Sequence, residues 1–203
     1  MKRISLILAV ASLAVLTLAA CQSEQKYSIA APPPGANSAQ TPPTSVKPLA
    51  LTAGPLTPAG VGKYMDGQET DLRARLKPLG IRVARRGDDI VVTLPNDKLF
   101  EGASLGSAGL GLLASVAQVL CHYDHTLLQV NAYTDTSGGE QQNLTVSQKR
   151  AALVAGALTQ DGVAAARVTA QGFGQTNLKV MTGDNVSEPR NRRTELRIVA
   201  KPG

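Results

Sequence analysis

Residues 133–150 read YTDTSGGEQQNLTVSQKR, and the change of character along this stretch sets the fold. Just ahead of it, Leu128, Val130 and Ala132 alternate with Gln129, Asn131 and Tyr133, the period-two pattern of a half-buried strand. Thr134 and Asp135 close that strand and are delivered to a loop, and Ser137-Gly138-Gly139 supplies the turn. A helix is then predicted over Leu144 to Thr159, with Val146, Ala151, Val154 and Leu158 inward and Gly162 shortly past its end. Asn143, Ser147 and Arg150 are spaced by four and three, so they share one helical face. That face looks toward the loop carrying Asp135.

Two chemistries fit an aspartate and an arginine brought together in this way. Asp135 and Arg150 can form a plain structural ion pair, worth little where it meets water. Alternatively they are held apart, each meeting one end of a zwitterion: a carboxylate orients an ammonium, and a guanidinium takes a carboxylate in bidentate fashion. Spacing alone leaves both open.

The flanks extend the same alternation. Met65, Glu69, Leu72 and Leu76 keep helical spacing until Pro78 and Gly80 stop it. Ile81–Ala84 and Ile90–Leu94 flank the turn-rich Arg86-Gly87-Asp88-Asp89 and predict a hairpin. Ser107–Leu120 carries Leu112, Leu113, Val116, Ala117 and Leu120 on one face of a helix, although Gly106, Gly109 and Gly111 weaken its first turns. Val168 with Ala170 suggests another strand, and Thr194, Leu196 and Ile198 the last. Strands alternating with helices predict an α/β sandwich, a mixed sheet with helices on one face, preceded by a short helix and a hairpin.

Ahead of this lies material of another kind. Lys2 and Arg3, an apolar run from Ile4 to Leu18, and small residues before Cys21 read as a secretory signal over residues 1–20. The run is shorter than the roughly 20 residues a spanning helix prefers. Removing the signal takes Lys2 and Arg3 and lowers the formal net charge from +6 to +4. Eight of the twelve prolines fall between Gln22 and Gly62, so residues 21–62 read as a Pro-rich tether. Such a tether reaches roughly 35 Å as a coil and on the order of 120 Å as polyproline. A helix-and-hairpin leader is expected over 63–95 and the main domain over 96–203.

Several function classes are disfavoured. Four Tyr, two Phe and no Trp, with scattered Lys and Arg, make a poor nucleic-acid platform. His122 and His125 lack further ligands at metal-binding spacing and read instead as capping the preceding helix. Gly172-x-Gly174 is only part of a dinucleotide fingerprint, and no nucleophile elbow is present. No enzyme, metal or cofactor is expected. Cys121 has no partner once Cys21 is set aside, and reads as a small buried apolar residue.

Two resemblances give these patterns content. Leu18-Ala19-Ala20-Cys21 resembles the bacterial lipobox, which implies that Cys21 is cut free, acylated on sulfur and nitrogen, and anchored in a membrane. Gln22, in place of the Asp usual for inner-membrane retention, implies the outer membrane, with the domain facing the periplasm. The second resemblance runs through Thr134-Asp135, Ser137-Gly138, Asn143, Ser147, Arg150-Ala151, Gly162-Val163, Arg167, Gly172-Phe173-Gly174 and Asn191-Arg192-Arg193. This ordered set is similar to the OmpA-like peptidoglycan-binding domain, and Leu99-Phe100 with Ala103-Ser104 resembles its first strand and loop.

The resemblance implies that Asp135 accepts from the ammonium, and Arg150 binds the carboxylate, of diaminopimelate in the peptide stem. It also implies that Asn143 is a supporting donor and that Thr134 helps fix the loop. Glu101 and Ser104 are further candidates for the mouth of the site. Partners then follow: peptidoglycan, the outer membrane through the lipid, and envelope proteins should the chain be an assembly component of a secretion or envelope complex. Ala132-Tyr133 stand where Gly-His is usual, Leu178 where Pro is common, and Ser187-Glu188 where Gly-Arg is frequent; Thr194 replaces the usual Val. Glu188 changes charge at the rim and so bears on affinity rather than fold.

Overall fold

The alternation that opens at Leu128 becomes an interior strand of a five-stranded sheet. The structure, a computed structural model, describes residues 56–201. In β5 (Thr126–Tyr133), Leu128, Val130 and Ala132 are buried while Leu127 and Gln129 are exposed. β7 (Arg193–Ala200) pairs antiparallel with it, Val130 opposite Leu196, and β6 (Val168–Gly172) pairs parallel on its other side, Val130 opposite Ala170. β2 (Asp89–Pro95) adds to β7, and β1 (Arg82–Arg86) closes the edge as a hairpin partner of β2, giving the order β1-β2-β7-β5-β6. The sheet is mixed because β5 and β6 are joined through a helix, the connection that parallel neighbours need.

α1 (Pro58–Leu76), α3 (Ser107–His122) and α4 (Glu140–Gln160) bring Met65, Leu72, Leu113, Leu120, Val154 and Leu158 into one apolar cluster with Val92, Leu128, Leu196 and Ile198. On the opposite face of the sheet Arg82, Gln129 and Arg197 are exposed, while Val91, Tyr133 and Arg193 are covered. A short α2 (Asn96–Leu99) and a two-stranded ribbon, β3 (Phe100–Glu101) and β4 (Ser104–Leu105), bridge β2 to α3.

Two glycines let these layers close. A Cβ on Gly109 would lie 2.2 Å from the Leu99 carbonyl oxygen, and one on Gly172 would lie 2.2 Å from the backbone nitrogen of Gln148. Both neighbours are backbone, so neither position has room for a side chain.

Several details differ from expectation. α1 begins at Pro58, five residues before Lys63, and Leu56 and Val61 join the core. Pro at the first helical turn is favourable because its missing N–H has no partner there anyway. The hairpin is no separate leader, since β2 is hydrogen-bonded to β7 and lies within the main sheet. Cys121 is exposed rather than buried, because it falls on the side of α3 away from its buried neighbour Leu120. The end of α3 is capped by Arg167 rather than by histidine. Its guanidinium donates to the carbonyls of Leu120 (3.0 Å), Tyr123 (2.8 Å) and Thr126 (2.6 Å) and to Thr126 Oγ1 (2.8 Å). The signal, Cys21 and nearly all of the tether lie outside the described residues.

Candidate functional site

β5 runs out at Tyr133, and its continuation carries Thr134 and Asp135 into a loop pinned on two sides. The Thr134 N–H donates to the Gly174 carbonyl at 2.8 Å. Thr136 Oγ1 donates to the Gly183 carbonyl at 2.7 Å and accepts from the Val186 N–H at 3.2 Å, which holds the long segment before β7. Asp135 is 2% exposed. Its Oδ1 accepts from the Ser137 hydroxyl and the Ser137 N–H (3.3 Å), and its Oδ2 from Arg192 Nη1 (2.9 Å) and the Glu188 N–H (3.2 Å). A carboxylate has about four lone-pair sites, so Asp135 is fully subscribed. Burial, the largest single influence, pushes its pKa up, but Ser137, Arg192 and the backbone donors together hold it below the ordinary value of 3.8.

Arg192 is the bridge of this site. Besides Asp135 it reaches Asp97, with Nη2 to Oδ2 at 3.0 Å and Nε to Oδ1 at 3.3 Å, and it donates to Ser187 Oγ at 2.9 Å. Asp97 sits on α2, which Asn96 locks to the sheet by donating to the Tyr133 carbonyl (3.1 Å) and accepting from Thr194 Oγ1 (2.8 Å).

Arg150 stands apart. Its guanidinium has no hydrogen bond or ion pair among the described residues and lies 5.3 Å from the centroid of the Phe100 ring, a cation–π placement. Burial lowers its pKa, and the field of Asp97 opposes that shift. The plain Asp135–Arg150 ion pair is therefore absent, and the partner of Asp135 is Arg192.

The other expected residues are placed as supports. Asn143, 6% exposed, spends its amide on the Asp135 carbonyl (3.3 Å) and Gln175 Oε1 (2.8 Å). Thr134 acts through its backbone, since its buried hydroxyl has no partner. Ser147 Oγ accepts from the Gly174 N–H at 2.8 Å and ties α4 to the turn after β6. Glu101 and Ser104 are exposed, and Glu101 lines a cleft of about 510 Å³ with Asp97, Leu99, Phe100 and Leu112. That cleft lies beside the charged groups, and neither Asp135 nor Arg150 lines it. Glu188 is held bidentate by Arg190, which pulls its carboxyl to about 2 and offsets its charge at the rim.

The comparisons with known proteins bear on the same residues. The sequence profile of the OmpA family matches residues 100–192, a span that takes in Asp135, Arg150 and Arg192. The chain carries an OmpA-family domain. It is 40% identical over 141 residues to the probable lipoprotein YiaD of Escherichia coli (strain K12), which covers 68% of this chain and 64% of that one. It is 33% identical over 96 residues to the peptidoglycan-binding protein ArfA of Mycobacterium bovis, covering 47% of this chain and 29% of that one. The chain thus spans less than two thirds of the curated relatives it matches here. The cell wall anchor of the T6SS from Pseudomonas aeruginosa is similar in structure, with a TM-score of 0.56 at 28% identity, covering 66% of this chain and 97% of that one. Its similarity supports the mixed α/β architecture of the OmpA-family domain described above.

Arg192 and Asp97 escaped the reading of the sequence as a working pair. They are 95 positions apart, and no local spacing relates a residue just after β2 to one just before β7.

Proposed function

We propose that the OmpA-family domain binds peptidoglycan noncovalently, with Asp135 taking the ammonium and Arg150 the carboxylate of the diaminopimelate end of a stem peptide. The supporting observation is the state of the two charges. Arg150 is a half-buried cation without an ion-pair partner among the described residues, set on the same side of the fold as an aspartate held ionised. Because Asp135 already accepts four hydrogen bonds, an incoming ammonium exchanges with one donor rather than adding to the set. Arg192 is the donor able to yield, since it keeps Asp97 when it releases Asp135. Asn143 and Thr134 position the loop. The relative bearing a peptidoglycan-binding name and the wall anchor of similar fold support the coarser part of this reading, peptidoglycan as the ligand.

In the same reading the chain is an outer-membrane lipoprotein acylated at Cys21, non-enzymatic, with the tether spanning from the membrane to the wall-bound domain. Its likeness to a probable lipoprotein over 141 residues is consistent with that anchor. A second reading, an assembly component of a secretion or envelope complex, draws on the likeness to the T6SS wall anchor.

Co-sedimentation with purified sacculi tests the first reading. Asp135→Ala and Arg150→Ala should each lose about ten- to a hundredfold in affinity, the loss of one charge-assisted contact. Circular dichroism and melting temperature on the same proteins separate lost recognition from lost fold. Undiminished binding by both folded variants defeats the assignment.

A further inference from the structure

The face of the sheet turned away from the helices carries more cations than it needs. Strand alternation puts Val83, Ile90 and Val92 in the core, which sends Arg82 and Arg86 of β1 to the opposite side. Arg197 of β7 lies on that side too, flanked by Val91 of β2 and Gln129 of β5. So does Arg193, whose guanidinium sits 3.9 Å from the centroid of the Tyr133 ring. Two of these charges are answered: Arg193 pairs with Glu195 at 2.8 Å and Arg197 with Asp89. Arg82 and Arg86 have no ion pair among the described residues, and both are exposed.

A fifth cation joins them from the segment before β7. The backbone N–H groups of Lys179 and Val180 both donate to Asn191 Oδ1 at 2.8 Å, and Arg193 donates to the Asn177 carbonyl at 3.0 Å. This folds the exposed Lys179 toward the sheet. Burial and the neighbouring charges of Arg193, Arg82 and Arg86 lower its pKa against the opposing pull of Glu195, as expected of a cation crowded by its own kind.

This surface is continuous with the proposed site. Arg192 and Arg193 are consecutive: the first is turned to Asp135 and Asp97, and the second, buried on the other face, ties the segment that carries Lys179 to that face through the Asn177 carbonyl. A polymer held at Asp135 and Arg150 has only to pass the start of β7 to reach Lys179. A wall polymer bears carboxylates on every stem, so the charges are complementary.

We propose that the open sheet face is a second, electrostatic contact with the wall, in which Arg82, Arg86 and Lys179 take carboxylates of stems neighbouring the one held at the site. This rests on the reading of Asp135 and Arg150 given above. It extends that reading from one stem to a stretch of polymer, with weak contacts adding reach and on-rate.

The test uses the chain from residue 21 with Cys21→Ser, so that no acyl chain intervenes, and a variant carrying Arg82→Gln, Arg86→Gln and Lys179→Gln. All three residues are exposed and have no ion pair among the described residues, so the fold should be untouched. Sacculus co-sedimentation in low salt should fall about tenfold for the triple variant, and the gap to wild type should close as salt rises. Binding of a single soluble diaminopimelate-containing stem peptide, measured by calorimetry, should be unchanged. Equal sacculus binding by both proteins at low salt overturns the inference and leaves the site assignment standing. Failure of the wild type to bind the single stem defeats the site assignment and this inference with it. A triple variant that keeps the wall but loses phosphatidylglycerol vesicles assigns the face to a membrane, and overturns the proposal as stated.

Discussion

At the end of the sheet where β5 begins, Arg167 donates four hydrogen bonds, three of them to backbone carbonyls at the close of α3 and the start of β5. At the end where β5 runs out, Arg192 is just as fully engaged, but with the carboxylates of Asp97 and Asp135 and the hydroxyl of Ser187. Both arginines sew distant segments together. The first binds mainly backbone carbonyls, which the fold fixes in place, so its contacts are structural. The second binds side-chain anions that another cation can satisfy equally well, so its contacts are open to exchange. An arginine's role is therefore read from what it donates to, and not from how many bonds it makes.

Removing each arginine should break the symmetry. Arg167→Ala should destabilise the domain by about 3 kcal/mol, because several half-buried carbonyls lose a charged donor. Urea unfolding measures this, and sacculus binding per folded molecule should be unchanged. Arg192→Gln should cost less, about 1 kcal/mol, since the side chain is partly exposed and Asp135 keeps its Ser137 and Glu188 donors. A loss for Arg192→Gln equal to that for Arg167→Ala would erase the distinction.

The pH dependence sharpens it further. Asp135 has a folded pKa held below 3.8, so it contributes stability that is complete above the unfolded value and lost as pH falls through the folded one. Wall binding through its carboxylate should likewise be flat from neutral pH down to about pH 4 and fall below that. In Arg192→Gln the carboxyl loses one of the donors that lower it, so the fall should begin at a higher pH. Carboxyl chemical shifts followed by NMR across pH 2–6 read this directly.

The smallest effect is expected at Thr134, whose buried hydroxyl has no partner. Thr134→Val keeps the shape and the backbone N–H to Gly174, and should leave the melting temperature level or slightly raised. A marked drop would reveal work by the hydroxyl.

Much of the fold was legible from periodicity. The alternation in Leu128–Tyr133 and the helical spacing from Met65 to Leu76 are local signals, and the sheet and α1 appear where they predict. The start of α1 was not legible, because Pro58, Gly60 and Gly62 match the composition of the tether, and only the burial of Leu56 and Val61 in the core reclaims them. Cys121 was misjudged because type alone predicts burial for cysteine, whereas its helical side decides otherwise. At the site, the loop bearing Asp135 and the helix bearing Arg150 were legible because they adjoin in sequence. The Asp97–Arg192–Asp135 bridge joins three segments that meet only when β2, β5 and β7 align.

Pro58 lies with Asp88, Asp89, Val199 and Ala200, where β2 and the β1–β2 turn meet the last residues of β7, whereas Asp135 follows the far end of β5. Eight residues of β5 separate the two levels, about 26 Å at strand spacing. A pull applied between Pro58 and a ligand at Asp135 therefore runs along the strands. It loads the packing of α1 against α3 and β1, through which Pro58 is joined to the sheet, lengthwise, as shear, rather than opening one end of it like a zipper. A domain gripped in this direction resists through many packed side chains together instead of one after another.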